Sequence, residues 1–83
     1  MKEMLFTSRE LYEMDFIFNY RFPLDNGGHY EVYDLKKNES EITIVYEFNP
    51  NGTFNTGYIE FNGTPLKGRE ITSSDIELLK ELM

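Results

Sequence analysis

Apolar and polar residues alternate at every second position through most of this chain, and the period becomes helical only towards its two ends. From Asp15 to Phe22, one parity holds Phe16, Phe18, Tyr20 and Phe22 while the other holds Ile17, Asn19 and Arg21, the signature of a strand. Stretches His29 to Lys36, Glu41 to Phe48 and Thr53 to Phe61 repeat the pattern. Asn49-Pro50-Asn51-Gly52 separates the last two. There proline presets φ at the second turn position and glycine supplies a left-handed residue, so these strands pair as an antiparallel hairpin. Lys37-Asn38-Glu39-Ser40 is a polar break of hairpin length, and Pro23-Leu24-Asp25-Asn26-Gly27-Gly28 closes the first strand with turn residues.

Near the N-terminus, Thr7 and Glu10 have capping-box spacing, and Leu11, Met14 and Phe18 fall near a helical period. A single helix from Thr7 to Phe22 therefore competes with a short helix from Ser8 to about Met14 followed by a strand; the clean alternation after Asp15 favours the second. At the other end, Thr72-Ser73-Ser74 offers N-cap hydroxyls, Ser74 and Glu77 have capping-box spacing, and Asp75 and Glu77 suit the positive end of a helix dipole. Ile76, Leu79 and Met83 form an apolar stripe that Leu78 and Leu82 widen. A helix of about ten residues does not persist alone in water, so this one docks on the sheet. Asn62-Gly63 and Pro65 mark turns, with room for a sheet extension of at most two or three residues. The expected fold is α+β: a single domain over residues 1–83, with a four-stranded antiparallel β-meander, a C-terminal helix and a short N-terminal helix.

Phe16, Phe18, Tyr20 and Phe22, with Ile42, Ile44, Tyr46, Phe48, Phe54 and Tyr58, read mainly as core beneath the C-terminal helix, with Tyr46 open to either the core or the surface. The opposite parity is not purely polar, since it holds Ile17, Tyr33, Leu35, Val45, Ile59 and Phe61. Parity does not carry from strand to strand without the register. If both faces are apolar, one helix covers only one of them, and the N-terminal helix, a partner or a second copy of the chain in a homodimer covers the rest.

Composition narrows the chemistry. With no Cys and a single His, neither disulfides nor a His/Cys metal site props up this small domain, so apolar burial, with seven Phe and six Tyr to draw on, carries it. A net charge of −7 argues against direct binding to nucleic acid or an anionic membrane. Met1 to Phe6 lacks the apolar run of a signal peptide and no stretch approaches about 18 consecutive apolar residues, so a cytoplasmic protein is expected. Acceptor-like Asn38-Glu39-Ser40, Asn51-Gly52-Thr53 and Asn62-Gly63-Thr64 then read as turns.

No nucleophile-elbow pattern surrounds Ser8, Ser40, Ser73 or Ser74, and His29 reads as a solvent-exposed residue at a strand entry. Asp25-Asn26-Gly27-Gly28 has one carboxylate and no following Glu at calcium-loop spacing, and Gly27-Gly28 leads into a strand rather than a phosphate-binding helix N-terminus. No catalytic residue, cofactor or metal is expected. Carboxylate pairs drawn from Glu31, Asp34, Glu47 and Glu60 would be needed for acid–base catalysis, but fifteen acidic residues in a chain this short generate near pairs by chance.

What remains is surface. Asp25, Glu31, Asp34, Glu39, Glu41, Glu47 and Glu60 face only Lys36 and Lys37 as bases in the same segment. Carboxylates at strand spacing make a nucleic-acid mimic, a potential like that of a phosphate backbone, and steer basic partners. The expected function is that of a non-enzymatic, small acidic inhibitor or immunity-type protein, in the style of phage and mobile-element proteins. It would mask a basic protein surface, such as that of a nucleic-acid-binding effector or toxin, through Tyr30, Glu31, Tyr33, Asp34, Glu39, Glu41, Tyr46 and Glu47. A homo-oligomer that binds a small ligand or serves as a scaffold is the alternative, and a generic acidic surface without a partner is the bland one.

Overall fold

Two short segments, Phe6-Thr7-Ser8-Arg9-Glu10-Leu11 and Ile71-Thr72-Ser73-Ser74-Asp75-Ile76, start the two helices by the same device. In helix α1 (Ser8–Glu13) the Thr7 hydroxyl accepts the Glu10 N–H while the Glu10 carboxylate accepts the Thr7 N–H, a reciprocal capping box. Thr72 and Asp75 do the same at the helix Ser73–Leu82. In each case the residue before the cap (Phe6, Ile71) and the fourth helical residue (Leu11, Ile76) belong to the hydrophobic core, the positions of a hydrophobic staple. The second box therefore forms two residues earlier than the expected pair Ser74 and Glu77, because only a cap at Thr72 brings both Ile71 and Ile76 onto the core.

A computed structural model of the chain describes residues 6–66 and 71–83; Lys2, Lys67 and Arg69 lie outside them. After α1 come strands β1 (Ile17–Pro23), β2 (His29–Lys37), β3 (Ser40–Phe48), β4 (Phe54–Phe61) and β5 (Thr64–Pro65), then α2 (Ser73–Leu82). They form one antiparallel sheet in the order β1-β2-β3-β4-β5. The expected meander is present, with the short extension after Asn62-Gly63 adding β5 as a fifth strand. No helix among the described residues is long and apolar enough to cross a membrane.

The long N-terminal helix does not form. Asp15 adopts a left-handed φ of 76°, with its N–H bonded to the Tyr12 carbonyl and that of Phe16 to the Leu11 carbonyl, a Schellman ending. Lys80 of α2 donates to Asp15 Oδ2 at 3.0 Å and to the Met14 carbonyl at 3.4 Å, so the second helix caps the end of the first. On α2, Ile76, Leu79 and Met83 reach the core as expected. Leu78 and Leu82 do not widen that stripe and stay exposed.

Both helices lie on one face of the sheet. The core joins Phe6, Leu11, Met14, Phe16 and Ile76 to Tyr33, Leu35, Ile42, Ile44, Tyr46 and Ile59, all on that face. Tyr46 is its centre. Its ring lies against Gly57, where an added Cβ would come within 2.7 Å. Its hydroxyl accepts the Phe6 N–H and donates to the Phe6 carbonyl, both at 2.9 Å.

Two bulges break the expected aromatic row. In β1, Phe18 pairs with Tyr33 but Tyr20 pairs with Val32, leaving Asn19 as the extra residue. In β4, Phe54 pairs with Phe48 but Thr56 pairs with Glu47, leaving Asn55 unpaired. Each extra residue reverses the parity downstream of it. Phe16, Phe18 and Phe54 therefore lie on the helical side, whereas Tyr20, Phe22 and Tyr58 lie on the other, contrary to the single core row expected for them. Both asparagines use the side-chain amide to bond a carboxylate of the neighbouring strand, Asn19 to Asp34 and Asn55 to Glu47.

Replacing Tyr46 by Phe keeps the ring but strands the buried Phe6 N–H and carbonyl, and is expected to cost about 1–3 kcal/mol. Burial pushes the Tyr46 hydroxyl up to about 12, above an ordinary value of 10.0. The neutral form is thus favoured in the folded state, and its contribution is complete below pH 10.0 and lost as pH rises towards about 12. Urea titrations should accordingly show the gap between wild type and Tyr46→Phe narrowing between neutral and strongly alkaline pH; a gap unchanged with pH refutes the linkage.

Candidate protein-interaction face

The face turned away from the helices is assembled by register alone. Tyr20, Val32, Val45 and Tyr58 stand side by side across β1 to β4, a row about 14 Å wide at ordinary strand spacing. Val32 and Val45 are only 5% and 7% exposed although α1 and α2 lie on the opposite face, while Tyr20 and Tyr58 at the ends are 51% and 48% exposed. One neighbouring row is Phe22, Tyr30, Glu47 and Thr56; the other is Ile17, Asp34, Thr43 and Glu60. Aromatic and aliphatic surface thus gathers on the β1–β2 side and carboxylates towards β3–β4.

Its electrostatics are one-sided. Among the described residues, Asp34, Glu41, Glu47 and Glu60 share this face with one base, Lys36, whose Nζ sits 3.6 Å from Glu41. Asp34 accepts from Asn19 and, at 3.1 Å, from the Thr43 hydroxyl, so its carboxylate is held in place by neutral donors that leave its charge standing. Glu47 is held likewise by Asn55. Burial against the sheet, then the charge of Glu60 and the hydroxyls of Tyr30 and Tyr20, raises the Tyr58 pKa above the ordinary value. Tyr58 therefore stays a neutral donor at physiological pH.

Of the eight residues expected to bind a partner, Tyr30, Asp34, Glu41 and Glu47 lie on this face and Glu39 on the turn at its end. Glu31, Tyr33 and Tyr46 do not join them. Tyr46 is fully buried and Tyr33 nearly so. Tyr33 donates to Glu31 at 3.0 Å, and burial is the main reason its pKa is raised. His29 is not the exposed residue expected: it stacks on Phe48 with ring centroids 4.9 Å apart. Arg21 donates to its Nδ1 at 3.2 Å, so the neutral ring carries its proton on Nε2, which donates to Glu31 at 2.9 Å. The candidate carboxylate set is also divided, with Glu31 on the helical side and Asp34, Glu47 and Glu60 on the open side. Among the described residues no group of three or more His, Asp and Glu side chains is placed to hold a metal ion.

The residues that sequence reasoning missed on this face are Tyr20, Phe22 and Tyr58, which it placed in the core row. Their signal was an asparagine inside an alternating run. Asn is disfavoured in regular strands, and Asn19 and Asn55 mark the points where the alternation changes faces.

Because Tyr20 and Tyr58 are half-exposed ends of a cross-strand row, Tyr20→Ser and Tyr58→Ser should each cost only about 0.2–1 kcal/mol in urea unfolding. A loss as large as that of a core tyrosine would instead make this face part of the structural core. Glu39 occupies a two-residue turn with Asn38, both left-handed (φ 70° and 49°). The turn at Asn62-Gly63 fills the same second position with glycine (φ 84°). Glu39→Gly should therefore raise stability by about 0.5–1 kcal/mol, the relief of a left-handed side chain less the extra chain entropy of glycine. A lowered unfolding midpoint would contradict this. No protein family, curated protein or solved structure matches the chain.

Proposed function

We propose that the protein is a non-enzymatic binding module that masks a basic protein surface through the open face of its sheet. The observation that carries this reading is the Tyr20–Val32–Val45–Tyr58 row, flanked by Tyr30 and Phe22 on one side and by carboxylates that outnumber the bases among the described residues of the face. Tyrosines at the ends of a dry valine pair supply rigid, amphipathic anchors of the kind that dominate binding energy. Asp34, Glu47 and Glu60 add steering and orientation towards lysines and arginines. Covering the basic patch with which an effector holds nucleic acid would make such a module an inhibitor or immunity-type protein by simple competition.

Self-association is the second reading, and the exposure of Ile17, Tyr20, Phe22 and Tyr58 favours it, since large apolar patches are usually covered. Two copies face to face would, however, bring the same carboxylates together, and like charges across an interface are costly. A basic partner fits the charge pattern better.

The test is capture of binding partners from producing cells on the immobilised wild-type chain, with the Tyr20→Ser/Tyr58→Ser and Glu47→Gln/Glu60→Gln variants alongside. A basic protein should be retained by the wild type and lost from the tyrosine variant. The glutamine variant should slow association while leaving dissociation nearly unchanged. Affinity should fall at least about tenfold between about 50 and 500 mM salt, over which the Debye length shrinks severalfold. A complex indifferent to salt and to both variants would overturn the proposal, and a captured second copy of the chain would replace it with self-association.

A further inference from the structure

β1 is an edge strand seven residues long with every residue exposed, whereas the other edge, β5, has only two. An edge leaves alternate N–H and C=O groups without a strand partner, and proteins usually guard it with charge, proline, a bulge or a cover. Protection of β1 is slight. Its one charged side chain, Arg21, is drawn to the helical side by His29, and its proline stands at the very end. The bulge at Asn19 is the remaining guard.

Two grooves run along this edge, one on each face, and both reach Phe18. On the helical side Ser8, Tyr12, Phe16, Phe18 and Tyr33 surround about 240 Å³, lined mainly by ring carbons. On the open side Asp15, Ile17, Asn19, Asp34 and Lys36 surround about 250 Å³. There Asp34 is the carboxylate held by neutral donors alone, since Asp15 is paired with Lys80 at 3.0 Å and Lys36 is drawn towards Glu41.

We infer that β1 accepts an extended segment of the partner as an added strand, and that this segment alternates apolar and basic residues. Side chains of an added strand point to opposite faces in turn. Apolar ones fall into the groove between Tyr12 and Phe18, and lysine or arginine side chains in between reach Asp34. Such a strand lies beside Tyr20 and Phe22 and continues the tyrosine face by one strand. The inference rests on the proposed function for the basic character of the partner and adds how that partner is held. A second copy is the poorer occupant: β1 offers no basic side chain free to meet Asp34, since Arg21 is engaged by His29.

The test titrates the isotopically labelled full chain with a short peptide of alternating valine and lysine, with a valine–glutamate peptide as control, and follows amide hydrogen exchange. Binding of the lysine peptide below about 1 mM with new protection of β1 amides is expected, weakened about tenfold by Phe18→Lys and changed less than about twofold by Leu82→Ser, at an exposed position of α2. Equal binding of the glutamate peptide, or no binding of either peptide at about 1 mM, overturns the inference. Perturbations centred on Tyr58, Glu47 and Glu60 without β1 protection also overturn it, yet leave the open-face function standing. Protection of β1 that grows with protein concentration in the absence of peptide assigns the edge to a second copy instead. Because the capture experiment needs neither peptide, its outcome separates failure of the proposed function from failure of this inference.

Discussion

The hydroxyl of Tyr46 fastens the helical layer to the sheet. It satisfies both the N–H and the carbonyl of Phe6, one residue ahead of the cap that starts α1. An unpaired polar group in that position would be expensive, so the start of α1 is pinned over the centre of β3. From there the staple residue Leu11, the Schellman turn at Asp15 and the Lys80 clasp follow along one side, and α2 is bound to the same side as α1. Two helices on one face leave the other face to be completed by the strands themselves.

That completion depends on two asparagines. Without Asn19 and Asn55 as extra residues, strict alternation would send Tyr20, Phe22 and Tyr58 to the side where Phe16, Phe18 and Phe54 already pack. The bulges divide the aromatic supply between a core and a surface. Each is closed by an amide bonded to a carboxylate, so the geometry of the sheet and the charge of its open face are built from the same contacts. Tyr20 and Tyr58 stand beside the dry Val32 and Val45 only because the bulges turn them to that side.

Features that depend on neighbours in sequence were legible before the structure was known. The hairpin at Asn49-Pro50-Asn51-Gly52, the turn at Asn38-Glu39, the capping box of Thr7 with Glu10 and the apolar stripe of Ile76, Leu79 and Met83 each follow from local chemistry. What was not legible depends on pairing across strands. The face of a residue is set by the register, and one extra residue reverses it, so Tyr20 and Tyr58 read as core. Tyr46 stood open between core and surface in the sequence, and only the contact with Phe6, forty residues away, decides it. His29 looked like a lone exposed ring because neither Arg21 nor Phe48 is near it along the chain. Of the candidate site, the acidic residues of β2 and β3 were visible as a run of charge, but their sorting between two faces was not.

The far end of α2 is tied down as firmly as its start. Lys37 donates to the Lys80 carbonyl at 3.0 Å and Asn38 to the Met83 carbonyl at 3.1 Å, which fixes the last helical turn to the hairpin between β2 and β3. Cationic and amide donors at that position satisfy carbonyls that a helix end otherwise leaves to water. The molecule therefore has a back, where the helices lie, and a front, where the tyrosines lie, and residue 83 belongs to the back. A fluorophore, a bead or a further polypeptide joined there would act as a handle held behind the sheet, with the front left facing outward.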